Sequence, residues 1–239
     1  MSIDFDLIQH FYSQDELEKH IAEQMILEFQ KPGLVILPTG ATFENKIYPL
    51  VNQYYEGKTE LLHPELYLTH LDELITEDES KLFAKAIESK LSNIVEALGD
   101  RFHPITISHA AYKAKDYKKT IQEYDRFVRQ HQGPRLIYAG LGPDPKRAHI
   151  AFIGEEFINT TTEVIKLSRE QKSKTSIEQA ITVGTEIFAS ANLEEVRVVA
   201  IGENKTPSLK AGFEDPDTGL GWLISQGSKP QIYTNCKLS

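Results

Sequence analysis

Residues 34–42, Leu34-Val35-Ile36-Leu37-Pro38-Thr39-Gly40-Ala41-Thr42, decide how the chain is read. The four leading residues are apolar and partly β-branched. Pro32-Gly33 precedes them and Pro38 follows, so the run is too short for a helix and reads as a strand buried on both faces. Thr39 to Thr42 form a polar turn, and Phe43 to Tyr55 reads as a helix. On the other side, Ser13 to Phe29 reads as a helix too. Ser13 and Glu16 have capping-box spacing, and Leu17, Ile21, Met25 and Phe29 recur every four residues.

The alternation continues outward. Leu66 to Leu71 reads as a strand, about Ser80 to Leu98 as a helix, Ile105 to Ile107 as a short strand and Tyr117 to Gln130 as a helix. Strands follow at Arg135–Ala139, His149–Ile153 and Glu163–Leu167. Ser176 to Ala189 reads as a helix, Val196 to Ile201 as a strand, Pro207 to Phe213 as a short helix and Ile232 to Thr234 as a last strand. Strands alternating with helices specify βαβ units and a mainly parallel sheet covered on both faces. Ligands of such sheets bind beyond the carboxyl ends of the strands.

The 239 residues suit one domain, expected to span 1–239. No internal repeat and no Pro-, Gly- or Ser-rich linker divides them. Hydrophobic residues are 40% and charged residues 26%, an ordinary globular balance. The formal net charge of −9 argues against nonspecific binding to nucleic acid or to an anionic membrane. No apolar stretch has the length of a membrane span. The lone cysteine, Cys236, excludes an intrachain disulfide and fits a reducing, cytoplasmic compartment. Met1 to Asp6 carries acids rather than a basic region leading into an apolar run, so no secretory signal is expected.

Four segments carry chemistry-bearing residues at strand ends. Thr39, Gly40, Ala41 and Thr42 offer hydroxyls and helix-start N–H groups to an anion. Asp72, in His70-Leu71-Asp72-Glu73-Leu74, leaves the end of a buried strand, where a proton-transfer base belongs. Gly140-Leu141-Gly142-Pro143-Asp144 is followed by His149 and then by Glu155 and Glu156. Imidazole moves protons near neutral pH, and neighbouring acids orient it. Lys205 follows a strand and precedes a helix that Pro207 could open, within reach of an anion in the same crevice. Each segment alone has a plain structural alternative as a turn, a cap or a solvated charge. The eight histidines show neither H-x-x-x-H nor H-E-x-x-H spacing, which disfavours a metal enzyme built on His70, Asp72 and His149.

Taken in order, these segments resemble the glucosamine-6-phosphate deaminase (isomerase) and 6-phosphogluconolactonase superfamily over roughly residues 10 to 235. Residues 37–42 are similar to its phosphate-binding turn and Leu71-Asp72-Glu73 to its Asp-Glu motif. Gly140 to Asp144 and His149 to Phe152 are similar to the two ends of its most telling segment. Ala180 to Gly184 is similar to a signature of the family, and Lys205 to its phosphate-binding lysine. The resemblance implies a three-layer α/β/α sandwich with a mainly parallel, Rossmann-like sheet, and a sugar 6-phosphate as small-molecule partner. It implies no metal and no organic cofactor. In the deaminase branch, Asp72 would shuttle a proton between C1 and C2, and His149 would open the sugar ring. Asp144 and Glu155 or Glu156 would tune the histidine.

His149-Ile-Ala-Phe152, the acids within seven residues of it, and Leu74 in place of the arginine usual in lactonases resemble the deaminase branch more closely. Three features depart from it. Pro-Lys-Arg-Ala separates Asp144 from His149, the first glutamate lies one residue later, and Glu163, of opposite charge, stands near where the deaminase branch has a phosphate-binding arginine. Lys146, Arg147 and Lys166 are candidates to replace that cation. An amino-sugar 6-phosphate isomerase and deaminase is therefore expected, with lactone hydrolysis and a non-catalytic sugar-phosphate sensor as alternatives. The sugar's stereochemistry and a homo-oligomeric state are left open.

Overall fold

The computed structural model describes residues 5–152, 161–190, 193–226 and 230–237. Its strands are β1 (Ile8–His10), β2 (Gly33–Leu37), β3 (Leu66–His70), β4 (Asp72–Leu74), β5 (Leu136–Gly140), β6 (Thr162–Lys166), β7 (Gln179–Val183), β8 (Glu195–Ala200) and β9 (Gln231–Thr234). The helices are α1 (Gln14–Glu28), α2 (Tyr48–Tyr54), α3 (Phe83–Lys90), α4 (Ser92–Leu98), α5 (His109–Ala114), α6 (Lys118–Gln130), α7 (Arg169–Thr175), α8 (Thr206–Glu214) and α9 (Gly219–Ser225). Six strands form a parallel sheet in the order β1-β9-β8-β5-β2-β3, and β4-β7-β6 form a small antiparallel sheet.

Side chains alternate across the parallel sheet and so divide the core into two apolar layers. Leu34, Ile36, Ile137, Ala139, Val196 and Val198 enter one layer with residues of α6, α8 and α9. Val35, Leu37, Leu136, Tyr138 and Val199 enter the other with α1, α2, α3 and α4. This is the expected α/β/α sandwich. The chain passes from β2 outward to β3 and then returns to β5 on the other side. The strand order therefore reverses between β2 and β5, and a crevice opens beyond their carboxyl ends.

Leu71 joins the two sheets. Its N–H still bonds the Leu37 carbonyl of β2 at 3.0 Å, while its own carbonyl accepts from Val183 N–H of β7 at 3.1 Å. His70 holds this bend. Ile105 N–H donates to its Nε2 at 2.9 Å, so Nδ1 carries the proton and donates to the Asp72 carbonyl at 2.8 Å. Burial pushes the His70 pKa down to about 4, which keeps the ring neutral.

Several elements differ from the sequence expectation. Ile105 to Ile107 form no strand, because side chains satisfy this backbone: His70 takes the Ile105 N–H and Thr120 donates to the Thr106 carbonyl. The segment 80–98 is two helices interrupted at Leu91. Ala84, Ile87, Leu91, Ile94 and Leu98 are all buried, so the apolar stripe runs through the break. Residues 176–189 hold β7 and a 3-10 turn rather than a helix, since Ile181, Thr182 and Val183 are β-branched and pair with β4 and β6. The described part of His149–Ile153 is no strand. Positive φ at Ala148 (38°) and Ala151 (54°) turns the chain, leaving one bridge between Leu141 and Ile150.

At the other end of the sheet, a buried ion network ties α1 to the strands. Glu28 accepts from Arg135 at 2.6 Å and from Arg197 at 3.0 Å, and Arg197 also donates to Tyr138 Oη at 2.8 Å. Burial raises the Glu28 pKa, but bonds from Arg135 and Lys31 and the charge of Arg197 outweigh it and hold the carboxyl below its usual range. Glu28→Ala should cost on the order of 3 kcal/mol at pH 7, read as a lower urea midpoint, because it leaves two guanidinium groups without their shared partner. A carboxyl with a depressed pKa contributes most above its unfolded value. The difference between the two proteins should therefore shrink as pH falls below the usual carboxylate range.

Candidate active site

A cavity of about 290 Å³ lies beyond the carboxyl ends of β2 and β5. Its lining includes Thr39 to Thr42 after β2, Asp72 after β3, Gly140 to Pro143 after β5, His149, and Lys205 after β8. Four segments far apart in sequence thus converge because each leaves the same end of one sheet.

The turn after β2 is shaped by three contacts. Tyr48 Oη, fully buried, donates to the Pro38 carbonyl at 2.5 Å. Gly40 takes φ +95°, which glycine tolerates without a Cβ penalty. Its N–H donates to Glu44 at 2.7 Å, so Glu44 caps the turn from behind. The helical winding begins at Ala41, where the first N–H groups have no carbonyl behind them, and residues Phe43–Ile47 are wound as a π-helix. Ala41 and Thr42 therefore bring two helix-start N–H groups to the cavity wall.

Asp72 is 4% exposed. Thr182, on the neighbouring strand β7, donates to Oδ1 at 2.6 Å, and Thr39 donates to Oδ2 at 3.3 Å. Burial raises the Asp72 pKa to about 7, against the lowering effect of bonds from Thr182, Thr39 and the Phe152 N–H. A carboxyl tuned to that range can both take and return a proton near neutral pH. Glu73 has a different task. It accepts N–H bonds from Leu74, Phe83 and Ala84, each at 2.8 Å, and so fastens β4 to the start of α3. Burial raises its pKa to about 7 as well.

His149 sits on a tight loop. Gly142 N–H donates to its carbonyl at 2.8 Å, and its ring packs alongside Phe152 with centroids 6.3 Å apart. The ring lies so close to Gly142 that a Cβ built there would fall 2.2 Å from Cε1 and 2.3 Å from Nδ1. Asp144 is engaged by its own loop: Arg147 donates to Oδ2 at 2.8 Å and Lys146 N–H to Oδ1 at 3.0 Å. The loop in turn docks on α9, through Gly219 N–H to the Arg147 carbonyl and Leu220 N–H to the Ala148 carbonyl. Glu155 and Glu156 lie outside the described residues. Lys205 Nζ donates to the Leu141 carbonyl at 2.6 Å, which holds the ammonium at the cavity wall.

The structure thus brings Thr39, Gly40, Ala41, Thr42, Asp72, His149 and Lys205 to one cavity. Asp144 is turned into its own loop, outside the lining. Glu163 is exposed on β6, in register with Thr182 on β7. Thr182 and Phe152, which lie in the Ala180–Gly184 and His149–Phe152 segments noted in the sequence, also join the site, and Phe83 joins it without having been anticipated. For Thr182 the signal is a hydroxyl inside an otherwise apolar strand. Among the described residues, no three His, Cys, Asp or Glu side chains converge at metal-binding geometry.

No family model matches the chain. Among solved structures, a monomeric glucosamine-6-phosphate deaminase of the NagB superfamily superposes with a TM-score of 0.76 at 15% identity, covering 95% of this chain and 96% of that one. A 6-phosphogluconolactonase from Trypanosoma cruzi superposes with a TM-score of 0.73 at 16% identity, covering 95% and 92%. The chain has the fold of the glucosamine-6-phosphate deaminase and 6-phosphogluconolactonase superfamily. In sequence, glucosamine-6-phosphate deaminase of Borrelia garinii subsp. bavariensis is 26% identical over 231 residues, covering 86% of this chain and 78% of that protein. The Haemophilus influenzae deaminase is 22% identical over 209 residues, covering 82% and 73%.

Within this superfamily fold, the Gly142 contact is a sharp test of the histidine's placement. Gly142→Ala should displace the His149 ring; under the function proposed below, in which this histidine moves a proton, turnover should fall by on the order of 10², since ångström-scale displacement of a reacting group has that effect. The thermal midpoint should fall only modestly, because the loop backbone bonds survive. Circular dichroism melting and steady-state kinetics separate the two effects.

Proposed function

We propose that the chain is an amino-sugar 6-phosphate isomerase and deaminase, acting on glucosamine 6-phosphate or its galactosamine epimer. The observation that carries this is Asp72: a buried carboxyl between two threonine donors, in one cavity with an imidazole, a lysine and the Thr39–Thr42 turn. Thr39 to Thr42 and Lys205 hold the substrate's phosphate. His149 moves the proton that opens the pyranose ring. Asp72 then takes the C2 proton and delivers it to C1. The C1 carbonyl oxygen gains a proton and becomes a hydroxyl as the C2 amine loses one and becomes an imine; water adds to the imine carbon, and ammonia leaves with a ketose 6-phosphate as product. The sequence relatives named above, both deaminases, support this branch. So does Leu74, which is buried against an apolar cluster with Phe152 and Ile165 at the position of the lactonase arginine. In this scheme Asp144 acts on His149 only indirectly, by shaping the loop, and Glu155 or Glu156 supplies the carboxylate partner.

The deciding experiment incubates the protein with glucosamine 6-phosphate, galactosamine 6-phosphate and 6-phosphogluconolactone, measuring ammonia and acid release separately. Ammonia from a hexosamine phosphate is expected. Acid from the lactone with no ammonia would assign the hydrolase, and neither product would assign a sensor.

Two variants test the roles. Asp72→Asn should lower kcat by a factor on the order of 10² or more while substrate still binds. Lys205→Ala should mainly raise KM, since it removes binding shared by ground and transition states. The pH profile follows from Asp72 as the base. The rate constant kcat/KM should rise with pH through about 7 as the carboxyl loses its proton. A hydrogen bond from a neutral donor favours the charged form, so Thr182→Val should move this acid limb to higher pH.

A further inference from the structure

The two threonines on Asp72 differ in a way that suggests a device. Thr182 is 1% exposed in the middle strand of the small sheet and donates to Oδ1 at 2.6 Å. Its bond is short, and the other acceptor near the hydroxyl, the Val183 carbonyl, lies further away at 3.4 Å. Thr39 is half-buried in the turn that faces the cavity, and its bond to Oδ2 is 3.3 Å, long for an O–H···O contact. A threonine hydroxyl has one proton to donate. Thr39 is followed directly by Gly40 and then by the helix-start N–H groups of Ala41 and Thr42, so an anion on those groups lies beside the same hydroxyl.

We infer that the Thr39 hydroxyl is a transferable donor: it holds Asp72 Oδ2 and turns to the phosphate when substrate docks, uncovering the oxygen that accepts the proton. Thr182 keeps Oδ1 throughout, so the freed atom is always Oδ2, the oxygen bonded by the cavity-lining Thr39. Bonds to a phosphate dianion are among the stronger charge-assisted contacts, which favours transfer from a 3.3 Å contact. Binding at one end of the substrate thereby prepares the base at the other. Thr39 is a positioning residue in this scheme. The inference rests on the sugar-phosphate assignment above and adds to it a coupling between phosphate and base.

Several groups face Asp72 besides the two threonines. The Phe152 N–H donates to it, His149 and Lys205 share its cavity, Glu73 is its neighbour, and Tyr124 lies behind it with its hydroxyl on the His70 carbonyl. Glu163 lies one strand further, opposite Thr182. Their influence is common to wild type and Thr39 variants, so a comparison of differences removes it.

The test is a carbon-13 NMR titration of the Asp72 carboxyl, with and without saturating inorganic sulfate, whose charge is constant over the range. Sulfate should raise the midpoint in wild type, through its charge and through loss of the Thr39 bond. In Thr39→Val only the charge remains. The midpoint without sulfate should start higher, and the sulfate-induced rise should be smaller by on the order of one pH unit. Thr39→Ser keeps the hydroxyl and should behave as wild type; Thr39→Ala replaces valine if the second methyl disturbs the turn. Equal rises in wild type and Thr39→Val, with the Ala41 and Thr42 amides shifted by sulfate, would overturn the transfer and leave the sugar-phosphate assignment standing. Absence of any shift at those amides would overturn both.

Discussion

Asp72 keeps a carboxyl out of water, where a charge without partners costs several kcal/mol. Among the described residues, that cost is met with hydroxyls and one backbone N–H rather than with a cation, and this choice shapes the surroundings. A lysine or arginine at contact distance would hold the carboxyl firmly ionised and make it a poor proton shuttle. Neutral donors satisfy its lone pairs while leaving its pKa near 7. The small antiparallel sheet exists at this point of the fold to supply one of those donors. β4 carries Asp72, β7 carries Thr182 directly opposite, and Leu71 carries the chain from one sheet to the other.

The rest of the cavity follows from topology. Parallel strands end on one side, so their following loops gather there whatever their distance in sequence. Reversal of strand order between β2 and β5 separates two of those loops and leaves room for a ligand. Glu73, His70 and Tyr48 act as fasteners around that opening. Each is buried and bonded to backbone, and each holds a loop whose neighbour faces the ligand. Adjacent acids thus have unlike duties: Asp72 faces the cavity, and Glu73 anchors a helix.

Five of the six strands of the large sheet were legible because each is a short apolar run bounded by turn residues, and the residues after them follow from the rule for parallel sheets; β1, Ile8-Gln9-His10, has no such run and was missed. Thr39, Asp72, His149 and Lys205 could be placed together on that basis. The small sheet was not legible. Ile177, Ala180, Ile181 and Ile187 fit a helical stripe as well as a strand, and only pairing with Asp72–Leu74 and Thr162–Lys166 decides between them. Thr182 gained its importance from a partner 110 residues away in sequence. The loop from Asp144 to His149 was legible as an insertion but not in its consequence, because its anchor is α9, far along the chain. Ile105 to Ile107 looked like a strand since its composition is right; its hydrogen bonds go instead to side chains that no local pattern reveals.

β1 lies at one margin of the large sheet, and among the described residues it pairs with β9 alone: Ile8 opposite Ile232 and His10 opposite Thr234. A ribosome makes residue 8 first and residue 232 more than two hundred residues later. Until then the first strand has no partner, and β8 is left with one bare side. Closing that contact spans nearly the whole chain, the most entropically demanding loop in the molecule. The margin is therefore sealed last during synthesis, and the nascent protein exposes a strand edge that invites pairing with other chains until its own final strand arrives.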